Sequence, residues 1–173
     1  ITLRGLWLGP LLVERHGFSL VQSGNVAFVM TLASMASPAI FGRIDPGGAQ
    51  RVRWLLGFAV VAVLMLGAMG LIHVAWADVL LAIGYGALSG YGVLQYGYVR
   101  EAYPEHVRGR ALSLFTMAMF LGIALMQWAS GLAASLAPRF GVEPFTAALL
   151  TMSAVVLMGT LAFWKLPRAP AAD

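Results

Sequence analysis

The sequence has few charged residues and no cysteine. Only 10% of its 173 residues are Asp, Glu, Lys or Arg, whereas a soluble domain usually carries about 25% charged residues. The absence of cysteine excludes disulfide bonds and thiolate metal sites. Apolar side chains take up 60% of the chain, and the mean hydropathy is +0.83. These proportions argue against a soluble domain. The net charge of +4 does not indicate nucleic acid, because no basic face remains once the charges are assigned to loops.

Five long stretches contain no charged residue at all. Each has at least 20 residues, about the length that an α-helix needs to cross ~30 Å of hydrocarbon. They also lack the alternation of apolar and polar residues that marks the strands of a membrane barrel. The stretches run between Arg15 and Arg43, Arg53 and Asp78, Asp78 and Arg100, Arg110 and Arg139, and Glu143 and Lys165.

We therefore predict an all-α polytopic membrane protein, a single six-helix bundle over residues 1–173. The first residue is isoleucine rather than methionine, so we expect a fragment whose first helix is truncated. The predicted helices span residues 1–13, 20–42, 54–73, 78–100, 110–135 and 145–165.

The basic residues near the predicted helix ends fall mainly on one side of the bilayer. The other side receives only Arg15 and Arg139. Because Lys and Arg accumulate in cytoplasmic loops, we predict that the richer side and the C-terminus are cytoplasmic, in a bacterial inner membrane. The richer side holds Arg43, Arg51, Arg53, Arg100, Arg108, Arg110, Lys165 and Arg168.

Three stretches carry recognisable motifs: RGLWLGPLL (4–12), FGRIDPGGAQRVR (41–53) and YPEHVRGRALSLFTMAMFLGIALMQWASG (103–131). With the order of the helices, they resemble the C-terminal half, helices seven to twelve, of a bacterial major facilitator superfamily transporter. The resemblance implies a secondary transporter that moves a small solute by alternating access. Its partner would be an N-terminal six-helix half or a second copy of this chain. No enzymatic activity and no cofactor are expected.

The resemblance also assigns roles to the loops at the basic side. It implies that their arginines bridge to the other half in one transport state; these are Arg43, Arg51, Arg53, Arg108 and Arg110. The second motif departs from the family's glycine–aspartate–arginine signature. Gly42 and Asp45 stand one residue closer together than in the signature, and Pro46 replaces an arginine. This departure predicts that Asp45 does not form the family's intracellular charge clamp.

Arg4 is the strongest candidate for a substrate contact. If the first helix ends near Glu14, Arg4 lies roughly 15 Å deep, close to the midplane. A charge at that depth usually faces a cavity or a partner, and a guanidinium suits an anionic group of a solute. Pairing of Arg4 with another helix is the alternative. Trp7, one turn away, either stacks on a ligand or packs against lipid or helices.

A second candidate group lies in the predicted helix 78–100. Tyr91, Gln95 and Tyr98 occur at i, i+4 and i+7 and so share one helical face. The resemblance implies that this face lines the substrate cavity, whereas hydrogen bonding between helices would explain the same pattern.

Two pairs of glycines, Gly5 with Gly9 and Gly86 with Gly90, have the GxxxG spacing. This spacing predicts that another helix approaches closely at each pair.

The carboxylates and histidines lie near predicted helix ends, in loops or in the tail. If transport is proton-driven, we therefore expect the proton carrier in the missing half. A non-transporting scaffold or sensor bundle is the main alternative, and it would need no midplane arginine. A membrane-surface enzyme is a further alternative. Its one candidate cluster, His106 with Glu101 and Glu105, lacks metal-ligand spacing.

Overall fold

The computed structural model describes residues 1–166, and every regular element within that range is helical. Helix α1 consists of two π-helical turns, Leu3–Trp7 and Leu11–Arg15, around a short α-helical segment, Leu8–Pro10. The longer helices are α2 (Leu20–Ile44), α3 (Gly48–Leu71), α4 (Ala75–Leu88), α5 (Gly92–Ala102), α6 (Glu105–Leu136) and α7 (Pro144–Lys165). Short 3₁₀ turns, Ser89–Tyr91 and Ala137–Phe140, follow α4 and α6. The predicted all-α membrane bundle is confirmed.

Five segments of the described chain are long and apolar enough to cross a membrane. Two of them combine elements, because α4 continues through its 3₁₀ turn into α5, and α6 continues into the turn after it. The segments are Leu20–Ile44, Gly48–Leu71, Ala75–Ala102, Glu105–Phe140 and Pro144–Lys165.

The helix ends follow from local chemistry. Ser19 caps α2 reciprocally with Gln22. Gly47, at φ 67°, ends the turn before α3, and Gly141, at φ 68°, ends the turn after α6. Pro104 precedes α6, and Pro144 is the first residue of α7. Proline suits these positions because the first N–H groups of a helix have no partner within the helix.

Two helices begin five or six residues earlier than their hydropathy predicts. Helix α3 begins at Gly48 rather than at 54, and α6 begins at Glu105 rather than at 110. Hydropathy marks only the apolar part of a helix, whereas Arg and Gln continue it into the polar interface. Arg168 and Asp173, which the sequence places in the tail, lie outside the described residues.

Four helices close into a ring. Helix α7 packs along α3 and α6, and α5 contacts both α3 and α6. Helix α2 lies against α4 and α5, outside this ring, and α1 packs on α2. The larger apolar core joins α1 to α3 and α7 through Leu8, Leu66 and Leu149, which are fully buried.

Only one of the two GxxxG pairs forms a close contact. A Cβ added at Gly86 would lie 2.8 Å from the carbonyl oxygen of Met30, and one added at Gly90 would lie 2.7 Å from that of Ser37. The predicted approach of α2 at this pair is confirmed. Gly5 and Gly9 have no described neighbour within 4 Å of such a Cβ, so the corresponding prediction for α1 is wrong within this chain.

Candidate functional site

A cavity of about 460 Å³ lies inside the ring formed by α3, α5, α6 and α7. It is nearer to the end of the bundle that carries most of the basic residues, which we call the arginine-rich end (Arg43, Arg51, Arg53, Arg100, Arg108, Arg110 and Lys165). Tyr91, Gln95 and Tyr98 all line this cavity, so the structure brings these three predicted residues together. The other lining residues are Leu55, Leu56, Ala59, Val99, Phe115, Val156, Gly159, Thr160 and Phe163.

The turn that leads into this cavity is held from α2. The Ser37 hydroxyl donates a hydrogen bond to the carbonyl oxygen of Ala87 and accepts one from the Gly90 N–H at 3.0 Å. It thereby satisfies backbone groups where α4 stops, directly before Tyr91. Sequence reasoning did not find this role of Ser37. Pro38 in α2 and the glycines around position 90 were the available signals, since both residue types interrupt regular helices.

Arg4 lies elsewhere. Its guanidinium donates a hydrogen bond to the Thr31 hydroxyl of α2 at 3.3 Å, and its side chain is exposed. Neither α1 nor α2 contributes a residue to the cavity wall. The residues predicted to bind substrate are therefore divided between two places.

Trp7 joins three helices. Its indole N–H donates a hydrogen bond to the Ser130 hydroxyl of α6 at 3.0 Å. Its ring meets that of Phe145, at the start of α7, edge to face at 6.3 Å. These contacts favour the packing interpretation of Trp7 over ligand stacking.

An ion-pair cluster forms at the arginine-rich end. The buried Arg51 guanidinium donates to both carboxylate oxygens of Asp45, at 2.8 and 2.6 Å, and lies 2.6 Å from a carboxylate oxygen of Glu101 on α5. The hydrogen bond from Arg51 holds the pKa of the Asp45 carboxyl below its ordinary value. Asp45 thus forms an ion pair within its own chain, and its absence from the family's charge clamp stays a prediction. The turn that includes Gly47 reverses the direction of the chain. Asp45 therefore lies beside the start of α3, although it stands one residue closer to Gly42 than in the family signature.

The remaining arginines of these loops are mostly solvated. Arg43, Arg53 and Arg110 are exposed. Arg108 approaches Glu105, one turn away, at 3.7 Å. Their bridging to another bundle stays a prediction.

A second polar cluster occupies the opposite end of the bundle, and we call it the Arg15 network (Arg15, His16, His73, Asp78, Glu143 and Thr146). Arg15, whose side chain is only 4% exposed, ends α1. It donates to the Met69 carbonyl at 2.8 Å, to the Glu143 carboxylate in a two-point contact that includes a bond of 2.8 Å, and to Thr146 at 3.2 Å. Arg15 thus ties α1 to the ends of α3 and α7.

The other members of the Arg15 network add α4. Asp78, fully buried in the first turn of α4, lies 2.7 Å from the His16 ring and 3.4 Å from Arg15. Glu143 also meets His73 at 3.1 Å. Hydrogen bonds from Arg15, above all, lower the pKa of Glu143 to about 2. Sequence reasoning placed these residues near helix ends but did not bring them together.

The candidate enzyme cluster is not supported by the geometry. Glu101 pairs with Arg51, and Glu105 lies near Arg108. Among residues 1–166, no group of three or more His, Asp and Glu side chains could hold a metal ion.

The sequence model of the Major Facilitator Superfamily matches residues 5–127. This match spans α1 to α5 and most of α6, and it includes the whole of the second quoted motif. The chain belongs to the Major Facilitator Superfamily. Members of this superfamily are membrane transporters rather than enzymes, and the chain is a multi-pass membrane protein. No curated protein and no solved structure matched it.

Proposed function

We propose that this superfamily member forms the C-terminal half of a secondary transporter that moves a small anionic solute across the cytoplasmic membrane. A second six-helix bundle, either an N-terminal half or another copy of this chain, would complete the pathway. The solute would bind between the two bundles, and their rocking would expose it alternately to each side.

The observation that carries this proposal is the position of Arg4. Its partner Thr31 lies at the middle of α2, which runs from Leu20 to Ile44, so the guanidinium lies near mid-depth. An arginine exposed to lipid there costs about 2.5–3.5 kcal/mol or more. A polar pathway or an anionic group removes that cost. Gly5 and Gly9 leave open space along the same helix.

The direction of the chain in the membrane is part of the proposal. The described residues place six arginines and Lys165 at the arginine-rich end, whereas Arg15 and Arg139 lie at the other. Since basic residues accumulate at the cytoplasmic side, the arginine-rich end faces the cytoplasm. A scaffold bundle explains the same helices but gives the exposed Arg4 no role.

Cysteine labelling tests the pathway directly, with any cysteine of the second bundle first replaced by serine, since residues 1–173 contain none. In the full transporter in membrane vesicles, Thr31→Cys should react with an anionic, membrane-impermeant methanethiosulfonate. Val60→Cys is the matched control, since Val60 is exposed at the middle of α3. If Thr31→Cys reacts with the reagent no faster than Val60→Cys, there is no polar pathway beside Arg4.

The same reporter tests the anionic solute. Sulfate or phosphate, at constant ionic strength, should slow the labelling of Thr31→Cys. Adding Arg4→Gln should abolish that protection while labelling itself persists. If the anions protect equally with and without Arg4, or not at all, the anionic assignment is wrong even though the pathway stands.

A further inference from the structure

The cavity inside the four-helix ring has walls without charge. None of its lining residues is Asp, Glu, Lys, Arg or His, and most of its surface is aliphatic or aromatic. Its volume of about 460 Å³ falls in the range, roughly 300–1,000 Å³, of pockets that hold small molecules. A charged ligand would find no opposite charge there, so the walls favour an uncharged one.

One edge of the cavity is polar. Tyr91, Gln95 and Tyr98 occupy successive turns of one helical face, over roughly 10 Å at 1.5 Å per residue. None of the three side chains forms a hydrogen bond with another described residue, whereas the fourth polar group, Thr160, bonds to the Val156 carbonyl of its own helix. Polar groups without partners are costly at membrane depth, and these three present donors and acceptors to the cavity.

The neighbouring Tyr96 shows that this arrangement is not ordinary helix-to-helix bonding. On the other face of α5, its hydroxyl lies 3.2 Å from the Thr116 hydroxyl of α6, and its ring packs edge to face on Phe115. Helix α5 therefore already uses a tyrosine to contact α6 there. Its polar cavity face makes no comparable bond within residues 1–166.

The cavity residues are held in place by aromatic packing. Tyr98 meets Phe163 edge to face at 5.6 Å, and Tyr91 lies 6.4 Å from the ring of Phe58. Because rings that are already packed lose little freedom on binding, such a site binds with a low ordering cost.

From these observations we propose that the cavity binds an uncharged amphipathic molecule, with an aromatic or aliphatic body and hydroxyl or amide groups along one edge. The site is separate from Arg4, since its wall comes from α3, α5, α6 and α7 together with the turn at Tyr91. It does not depend on the proposed transport of an anion.

A pair of probes that share one ring system tests the proposal. 2-Naphthol is neutral at neutral pH, and 2-naphthoate is its anionic counterpart. Saturable binding to the full protein in nanodiscs is followed by ligand-observed NMR, with empty nanodiscs as the blank. We expect 2-naphthol to bind at least tenfold more tightly than 2-naphthoate.

Near-isosteric variants assign the binding to this cavity. Tyr98→Phe and Gln95→Leu should each weaken 2-naphthol binding about five- to tenfold, the loss expected for one hydrogen bond. Tyr96→Phe is the matched control and should leave binding unchanged, as should Arg4→Gln. Gly159→Trp should fill the cavity and abolish binding.

Three results would overturn the proposal. These are equal binding of the two naphthalenes, an effect of Tyr96→Phe as large as that of Tyr98→Phe, and absence of saturable binding to the wild type. If Gly159→Trp does not fold, the two near-isosteric variants still decide the question.

Discussion

Replacing Arg15 by methionine should destabilise the bundle more than the same change at an exposed arginine of that end. Arg15 is almost wholly buried and donates hydrogen bonds to Met69, Glu143 and Thr146, with Asp78 3.4 Å away. Methionine keeps the length of the side chain and removes its charge. The change leaves two carboxylates without their guanidinium, and one of them, on Asp78, is fully buried.

The expected size follows from these contacts. Removing one partner of a buried ion pair costs about 3–5 kcal/mol, because the other charge stays buried without compensation. The Glu143 side chain is 32% exposed, so solvent screening reduces its share. Asp78 keeps its 2.7 Å contact with the His16 ring, so its share is also reduced, and the lost bond to the Met69 carbonyl adds to the cost; we expect about 3 kcal/mol in total.

Unfolding measured in detergent or nanodiscs checks the prediction. Arg139→Met is the matched control, since Arg139 is exposed at the same end and forms none of the contacts of the Arg15 network. Adding Glu143→Gln to Arg15→Met should recover about 1 kcal/mol, because it removes one orphaned charge. If Arg15→Met costs no more than Arg139→Met, the Arg15 network does not stabilise the fold as argued.

Three further predictions concern other contacts. The pKa of Glu143 is lowered from 4.5 to about 2. Its ion pair therefore stabilises the fold fully above about pH 4.5, and this stabilisation is lost as the pH falls towards 2. The unfolding free energy of Glu143→Gln should lack this acid-dependent loss. Gly90→Ala should destabilise by about 1–3 kcal/mol because its Cβ meets the backbone of α2, whereas Gly57→Ala, with open space around it, should be neutral or slightly stabilising in the same unfolding assay. Asp45→Asn should cost about 1–3 kcal/mol, and wild-type stability in parallel denaturant titrations would show that Arg51 does not need this partner.

The membrane helices were predictable because hydropathy reports burial in lipid directly. Runs without charge located all five long segments, and the glycine pair at Gly86 and Gly90 located a close contact. The break between α4 and α5 was not predicted, since the chain there stays apolar. Its cause is tertiary: the Ser37 hydroxyl replaces backbone bonds that α4 gives up.

Helical periodicity identified a shared face but not its direction. Tyr91, Gln95 and Tyr98 do lie together, yet their face turns into the four-helix ring, whereas Arg4 faces outwards beside α2. The Arg15 network shows a related gap. Arg15, Asp78 and Glu143 are far apart in sequence, and no local motif links them. Their shared side of the membrane was the one available signal, because helix ends on one side can meet.

Within the described part of the chain, ion pairs hold the helices together at both ends of the bundle, but not between the ends. At one end Arg15 holds α1, α3, α4 and α7, and at the other Arg51 holds the start of α3 to Asp45 and to Glu101. Moving helices apart there leaves the buried guanidinium groups of Arg15 and Arg51 without their carboxylates. Solvent screens Glu101 and Glu143, whose side chains are 55% and 32% exposed, so the cost is smaller than for a fully buried pair. Between the two ends, Pro38 interrupts the bonding of α2 beside the 3₁₀ turn Ser89–Tyr91, and the Ser37 hydroxyl supplies hydrogen bonds between the two segments. Bending within the bundle should therefore concentrate at this level, and because Tyr91 ends the turn, such bending would reshape the cavity first.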